Sequence, residues 1–367
     1  MKKLSQKRKL WFNRIQKKRE KNHKKRILKK KAIACLSKYE KSDQNHRYKL
    51  LKISGPKILG IRGDDNRKSL IGWLKKLRLL TLKNDQRILI DFTYSKDAEP
   101  IGFLLLLAEI DTILSVKGKN FIKALGPKDR VAAQLFHQIG LAKMLDIKSM
   151  VTITSDNVKF WRHINGSEID ADRAGKLIIT LSMDYGFSDE SELNLFRGVS
   201  EAMTNTIMHA YEYERGKNTV YGDKRWWMFV SLKNGDLTVV FCDIGIGIPR
   251  SLKNEEKHPG IYSKVINLLN KGEDSKLIKI ALEEGRTKSD DPHRGLGMAE
   301  MKNLINGIGT GSMIIMSNRG AYLYHGKDKL ESTRDFATSI MGTIVGWTAP
   351  IKALVEQNGE ENVSNNN

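Results

Sequence analysis

The sequence predicts an α/β protein (α+β in the connectivity of its larger part): a small layered module, a larger two-layer α/β sandwich in the C-terminal half, and a basic N-terminal arm. Three observations carry this expectation. A strand-type run RILIDF (87–92) is followed by a largely apolar helix pattern PIGFLLLLAEIDTIL (100–114), then a second strand and a second helix. Such alternation suggests a layered α/β unit. Further on, WWMFVSL (226–232) and LTVVFCDIG (237–245) flank Asn234-Gly235. That pair favours a two-residue hairpin turn, because both central residues must take positive φ. The third observation is charge. Residues 1–50 hold 20 Lys/Arg against 3 Asp/Glu, a net of +17, whereas the remaining 317 residues carry only +5 of the total +22.

Taken in order, residues 1–50 form the arm, dense in lysine with scattered Trp11, Phe12, Ile15 and Leu28. Its composition permits helix but its self-repulsion favours disorder without a polyanion. ISGPKILGIRGDDNR (53–67) carries Gly, Pro and Asp breakers and reads as a linker or a strand with turns. The first module is expected over 51–165. Its second strand is FIKALGP (121–127) and its second helix DRVAAQLFHQIGLAKML (129–145). The second module is expected over 170–352. It contains a helix near 191–212, the hairpin, a long polar segment (250–294), a helix GLGMAEMKNLINGI (295–308), and strands near SMIIMS and GTIVGW. Residues 353–367 read as a disordered tail.

The longest apolar run, Phe103 to Ala108, is far short of the roughly 20 residues a membrane span requires, so no span is expected. With only Cys35 and Cys242, a disulfide framework is not expected and a reducing cytoplasm fits.

The chemistry concentrates in RGVSEAMTNTIMHAYEY (197–213). Glu201, Asn205 and His209 fall at i, i+4 and i+8, a short polar ladder along one side of a helix. Leu195, Val199, Ala202 and Met203 form an adjacent apolar stripe. The ladder is either a solvated edge or the wall of a site. Two glycine clusters accompany it. CDIGIGIP (242–249) ends a strand with Asp243 and then places Gly245 and Gly247 where a backbone can approach a ligand. HRGLGMAEM (293–301) puts Gly295 and Gly297 just before a helix, whose free amides make an anion site. Each cluster alone is equally the mark of a turn.

Together, the E-x-x-x-N-x-x-x-H-A helix, the D-x-G-x-G-I loop, the R-G-L-G-M loop and a late G-T strand occur in the order found in the GHKL superfamily. Over about 175–350 the chain resembles these Bergerat-fold ATPases, and VSEAMTNTIMHAY is most similar to the anti-sigma-factor serine kinases. The resemblance implies ATP with Mg²⁺. Asn205 would hold the ion, and Glu201 would act as general base over the γ-phosphate. Asp243 would read the adenine amine with help from Thr343. Gly245, Gly247, Gly295, Leu296, Gly297 and Met298 would frame a lid over the phosphates. Lys288 and Arg294 would meet phosphate, as would Arg286 unless it is simply an exposed loop residue. His209 either touches nucleotide or caps packing. The 45-residue segment 250–294 is long for a serine-kinase lid and suits a clamp ATPase, so both fates of the phosphoryl group stay open, as does an ATP-dependent dimer.

The 87–150 block resembles the STAS modules that such kinases bind, with Thr93, Tyr94 and Ser95 where a phosphoacceptor would lie or as plain loop residues. His137 lacks the followers of a phosphoacceptor histidine, which argues against a two-component kinase. The arm's readings are nucleic-acid binding through residues 1–45, contact with an acidic membrane, or a solvated tail. Nothing in it suggests base readout, so any nucleic-acid binding should be electrostatic. A protein phosphoacceptor is the further partner that the kinase reading implies.

Overall fold

Asn234 and Gly235 take φ of 55° and 82°, the paired positive values of a type I′ turn. They join β7 (Trp226–Lys233) to β8 (Asp236–Asp243) in unbroken antiparallel register from Trp226↔Asp243 to Lys233↔Asp236. This hairpin is the centre of the protein. The computed structural model describes residues 50–148, 151–155, 158, 161–211, 224–253, 260–287 and 301–355. The arm, the R-G-L-G-M loop and residues 356–367 lie outside them.

Around the hairpin runs a seven-stranded antiparallel sheet, in the order β11 (Leu330–Asp335), β10 (Gly320–His325), β9 (Ser312–Ser317), β12 (Thr343–Pro350), β8, β7, β6 (Arg162–Gly166). Side chains alternate between its faces. Trp226, Met228, Val230, Leu237, Val239 and Phe241 enter one core, and Trp227, Phe229, Val240 and Cys242 enter another. Burial on both sides explains why WWMFVSL is apolar without alternation.

The core that takes Trp227, Phe229, Val240 and Cys242 is shared with the small module. There β1 (Leu51–Ser54), β3 (Ile88–Asp91) and β5 (Ile122–Leu125) pair in parallel in the order β1-β3-β5, and β2 (Ile58–Leu59) pairs with β4 (Asp97–Ala98). Two helices, α1 (Asp64–Arg78) and α2 (Pro100–Lys117), accompany them. From Gly102 to Ile110 every residue of α2 is buried, because the helix packs in a core bounded by both sheets. A helix apolar all round is stable only in such a place. The next residue of α2, the half-buried Asp111, ties the layers together. Asp111 Oδ2 accepts from Arg225 Nη2 at 2.5 Å, Trp227 Nε1 at 2.8 Å and Asn165 Nδ2 at 3.2 Å.

The opposite face of the large sheet carries α5 (Ala171–Tyr185) and α6 (Asp189–Asn205). Preceding them in the chain are α3 (Arg130–Gln138) and α4 (Leu141–Met144), and following them α7 (Ile248–Ser251), α8 (Tyr262–Lys271), α9 (Asp274–Thr287) and α10 (Asn303–Ile308). A last turn of helix, α11 (Ile351–Leu354), closes the described chain, so residues 353–355, expected in the tail, are ordered: Leu354 is buried in the core and Val355 bridges Phe187. The mixed α/β class agrees with the sequence.

Three local differences have physical causes. The breaker-rich 53–67 stretch contains β1's end and β2, and its Asp64-Asp65 pair opens α1, where acidic residues favour a helix N-terminus. The 129–145 helix is split at Gly140, whose φ of 80° no α-helix accommodates. The polar segment 250–294 holds α8 and α9, with Leu252, Val265, Leu268, Leu277 and Ile280 forming a small core of their own. Ile278 and Leu282 of α9 meanwhile enter the main core, so that helix is clamped between two apolar clusters.

Candidate functional site

The candidate site is a row of polar side chains where the large sheet meets the end of α6. Asp243 closes β8, and its parity with Leu237, Val239 and Phe241 aims it at the helix-bearing face. The register sets Thr343 of β12 opposite Asp243 and opposite Ser317 of β9. Three adjacent strands thus contribute Asp243, Thr343 and Ser317 to one line, at the end of an otherwise apolar sheet.

Asp243 is 5% exposed. Its Oδ1 accepts from the amides of Gly245 at 2.7 Å and Thr343 at 3.2 Å, Oδ2 meets the Thr206 hydroxyl at 3.5 Å, and the Thr343 side chain also bonds the carboxylate. Burial pushes its pKa up from 3.8 to about 6, against the opposing pull of the two amides. The carboxylate is therefore fixed by two amides and flanked by two threonine hydroxyls. Ser317 Oγ lies 3.1 Å from Thr343 Oγ1 and accepts from the amide of Ile248 at 2.8 Å.

The D-x-G-x-G-I loop folds back over this row. Gly245 sits so close to the chain that a Cβ would lie 2.2 Å from the carbonyl oxygen of Ala210. Gly247 has φ of 81°, and its Cβ would lie 2.4 Å from Asn318 Nδ2, which donates to the Ile246 carbonyl at 2.8 Å. The glycines are thus required by close approach to Ala210 and Asn318, the protein's own chain.

On α6, Asn205 Nδ2 donates to Glu201 Oε1 at 2.8 Å, as the i, i+4 spacing predicts. His209 does not continue that line. Residues Thr206–Ala210 form a π-helical turn, which adds a residue to the turn and shifts everything after Asn205 around the axis. The shift buries Thr206 against Asp243 and leaves His209 and Met208 exposed. The turn is what brings the ladder's helix to the buried carboxylate.

Of the residues expected from the sequence, Glu201, Asn205, Asp243, Gly245, Gly247 and Thr343 fall within this neighbourhood or border it through Thr206 and Ala210. Lys288, Arg294, Gly295, Leu296, Gly297 and Met298 lie outside the described residues, as does the side chain of Arg286. Thr206, Ser317 and Asn318 were not expected. The sequence signal for Ser317-Asn318 is the abrupt polar end of SMIIMS, and Thr206 lies inside the ladder itself. In the small module, Ser95 is buried and donates to the Pro56 carbonyl, the Thr93 amide donates to Asp91 Oδ1 at 3.0 Å, and Tyr94 is exposed.

Among the described residues no cluster of His, Cys, Asp or Glu could by itself hold a metal ion, and no helix is long and apolar enough to cross a membrane. The chain matches no protein-family model and no curated protein significantly.

Proposed function

We propose that the Asp243 row and the Glu201–Asn205 pair bind a purine nucleotide, ATP with Mg²⁺, in the manner of the Bergerat-fold ATPases. The observation that carries the reading is a buried carboxylate with one oxygen fixed by two amides, ringed by the hydroxyls of Thr206 and Thr343. Such a carboxylate suits an exocyclic amine, a donor that adenine presents and guanine lacks at that position. Thr343 and Ser317 extend the acceptor with hydroxyls that donate or accept.

In this reading Asn205 would be the protein's ligand to a magnesium ion whose other positions water and phosphate oxygens would fill. With its amide nitrogen committed to Glu201, Asn205 keeps its side-chain oxygen as a hard ligand, and such sites use few protein oxygens and several waters. ATP with its ion supplies a transferable phosphoryl group. Glu201 accepts the proton of the attacking oxygen, and the Asn205 amide fixes the orientation of that carboxylate. In this reading the protein is a regulatory ATPase or a protein serine/threonine kinase.

Calorimetric titration of the full chain with MgATP tests the reading, with Asp243→Asn as comparison. The expected result is binding by the wild type and a loss of about tenfold or more in the variant, since a charged acceptor is worth roughly 1.5–3 kcal/mol. Absence of heat at millimolar nucleotide overturns it. Incubation with γ-labelled ATP, alone and with cell lysate, then separates transfer to protein serine or threonine from release as free phosphate.

A further inference from the structure

The positive charge of the chain does not stop with the arm. Residues 51–165 hold 20 Lys/Arg and 11 Asp/Glu, a net of +9, while residues 166–367 hold 24 and 28, a net of −4. The small module is basic and the large one slightly acidic. Within the small module, one edge gathers cations near an aromatic ring.

That edge is the carboxyl end of the parallel sheet, where the loops after β1, β3 and β5 meet. The Lys96 amide donates to the Lys57 carbonyl at 3.0 Å, the Lys128 amide to the Thr93 carbonyl at 3.2 Å, and Ser95 to Pro56. These bonds cross-brace three loops and bring the backbones of Lys57, Lys96 and Lys128, all exposed, next to the loop that carries Tyr94. Tyr94 is 71% exposed, an unusual position for an aromatic ring. The loops are pinned from below, since Gly55 lies against the Phe92 ring so closely that a Cβ would sit 2.4 Å from it. Of the nearby carboxylates, Asp91 is engaged by Lys52 at 2.7 Å and Asp129 caps α3 by accepting from the Ala132 amide. Asp97 is exposed and leaves the edge net positive.

In open α/β sheets the carboxyl ends of the strands are where ligands bind. An exposed ring on a braced loop among lysines matches a strand whose bases are unpaired, with a stacking face for one base and ammonium groups for the flanking phosphates. A duplex hides its base faces and would leave the ring unused.

We propose that this edge binds single-stranded nucleic acid, with a base stacked on Tyr94 and phosphates on Lys57, Lys96 and Lys128. The surface is separate from the Asp243 row and does not depend on the nucleotide reading.

The test uses the full chain and a fluorescent 12-nucleotide single strand, with its duplex for comparison. Replacing Lys57, Lys96 and Lys128 together by Gln should reduce the slope of log K against log salt by about 2, at roughly 0.7 per phosphate on single strands. The charge-matched control replaces Lys83, Arg87 and Lys119, exposed residues in the loops at the opposite edge of the same sheet. Tyr94→Ala should weaken single-strand binding about tenfold with little change for the duplex, and Tyr94→Phe should restore it. In the unaltered chain, photocrosslinking to a 5-iodouridine strand should map to Tyr94, a readout independent of any variant's folding. Equal losses from the two triple substitutions, or crosslinks confined to residues 1–49, would overturn the proposal.

Discussion

The amide of Thr343 donates to Oδ1 of Asp243 at 3.2 Å across the β8–β12 pairing, so the backbone of one strand holds the buried carboxylate of the next. With the Gly245 amide on the same oxygen, the side chain cannot swing to water. Asp243 is therefore a fixed acceptor whose charge state follows its burial.

Nucleotide affinity should depend on that charge. Burial raises the pKa of Asp243 to about 6, so the carboxylate is ionised at pH 7.5 and protonated at pH 5. Affinity for MgATP should fall as pH falls through about 6, and Asp243→Asn should remove that dependence. Isothermal titration at pH 5.5, 6.5 and 7.5 reads both, provided the nucleotide's own titration is subtracted.

The same carboxylate should cost stability at neutral pH. Its folded pKa of about 6 lies above the unfolded 3.8, so the folded state binds the proton more tightly. Stability from this group is full below 3.8 and is lost as pH rises through about 6, a total of ~3 kcal/mol. Asn keeps the amide-accepting oxygen and carries no charge. Asp243→Asn should raise the melting temperature at pH 7.5, and the difference should disappear near pH 4. A variant less stable than wild type at pH 7.5 contradicts the burial argument.

Glu201→Ala should abolish phosphate release while leaving nucleotide affinity within a fewfold of wild type. In the proposed reading the carboxylate acts on the attacking oxygen and not on the base or ribose. A general base typically contributes 10²- to 10⁴-fold, and release assayed with a coupled phosphate sensor covers that range. Equal rates would remove Glu201 from the chemistry.

Asp111→Ala should destabilise the protein by about 3 kcal/mol, because it leaves Arg225, Trp227 and Asn165 without their shared acceptor in a partly buried place. Urea denaturation measures it. Asp111→Asn, which keeps an oxygen for the Trp227 ring nitrogen, should lose less. Similar losses in the two variants would mean that packing and not the acceptor matters.

Gly247→Ala should lower stability by 1 kcal/mol or more, since φ of 81° is strained for alanine and the new methyl would displace Asn318 from the Ile246 carbonyl. Thermal melting reads the loss. Gly235→Ala, also at positive φ but with open space around it, supplies the strain without the clash and should cost less.

The sequence by itself determined the hairpin, the apolar helix over 100–114, the parallel pair of strands around it, and the polar ladder's first two members. Each rests on local chemistry: Asn234-Gly235 permits only one kind of turn, and the spacing of Glu201 and Asn205 makes them neighbours in any helix. It also marked Asp243 as the end of a strand. The rest needed the tertiary structure. Whether α1 forms depends on Leu70, Leu74 and Leu77 finding a core. The diversion of His209 depends on a π turn that no spacing announces. Ser317 joins the site only because β9, 70 residues beyond the Gly247 loop it supports, pairs with β12 in one register and not the next. Long-range register is set by which faces bury together, and one strand's own residues do not carry that information.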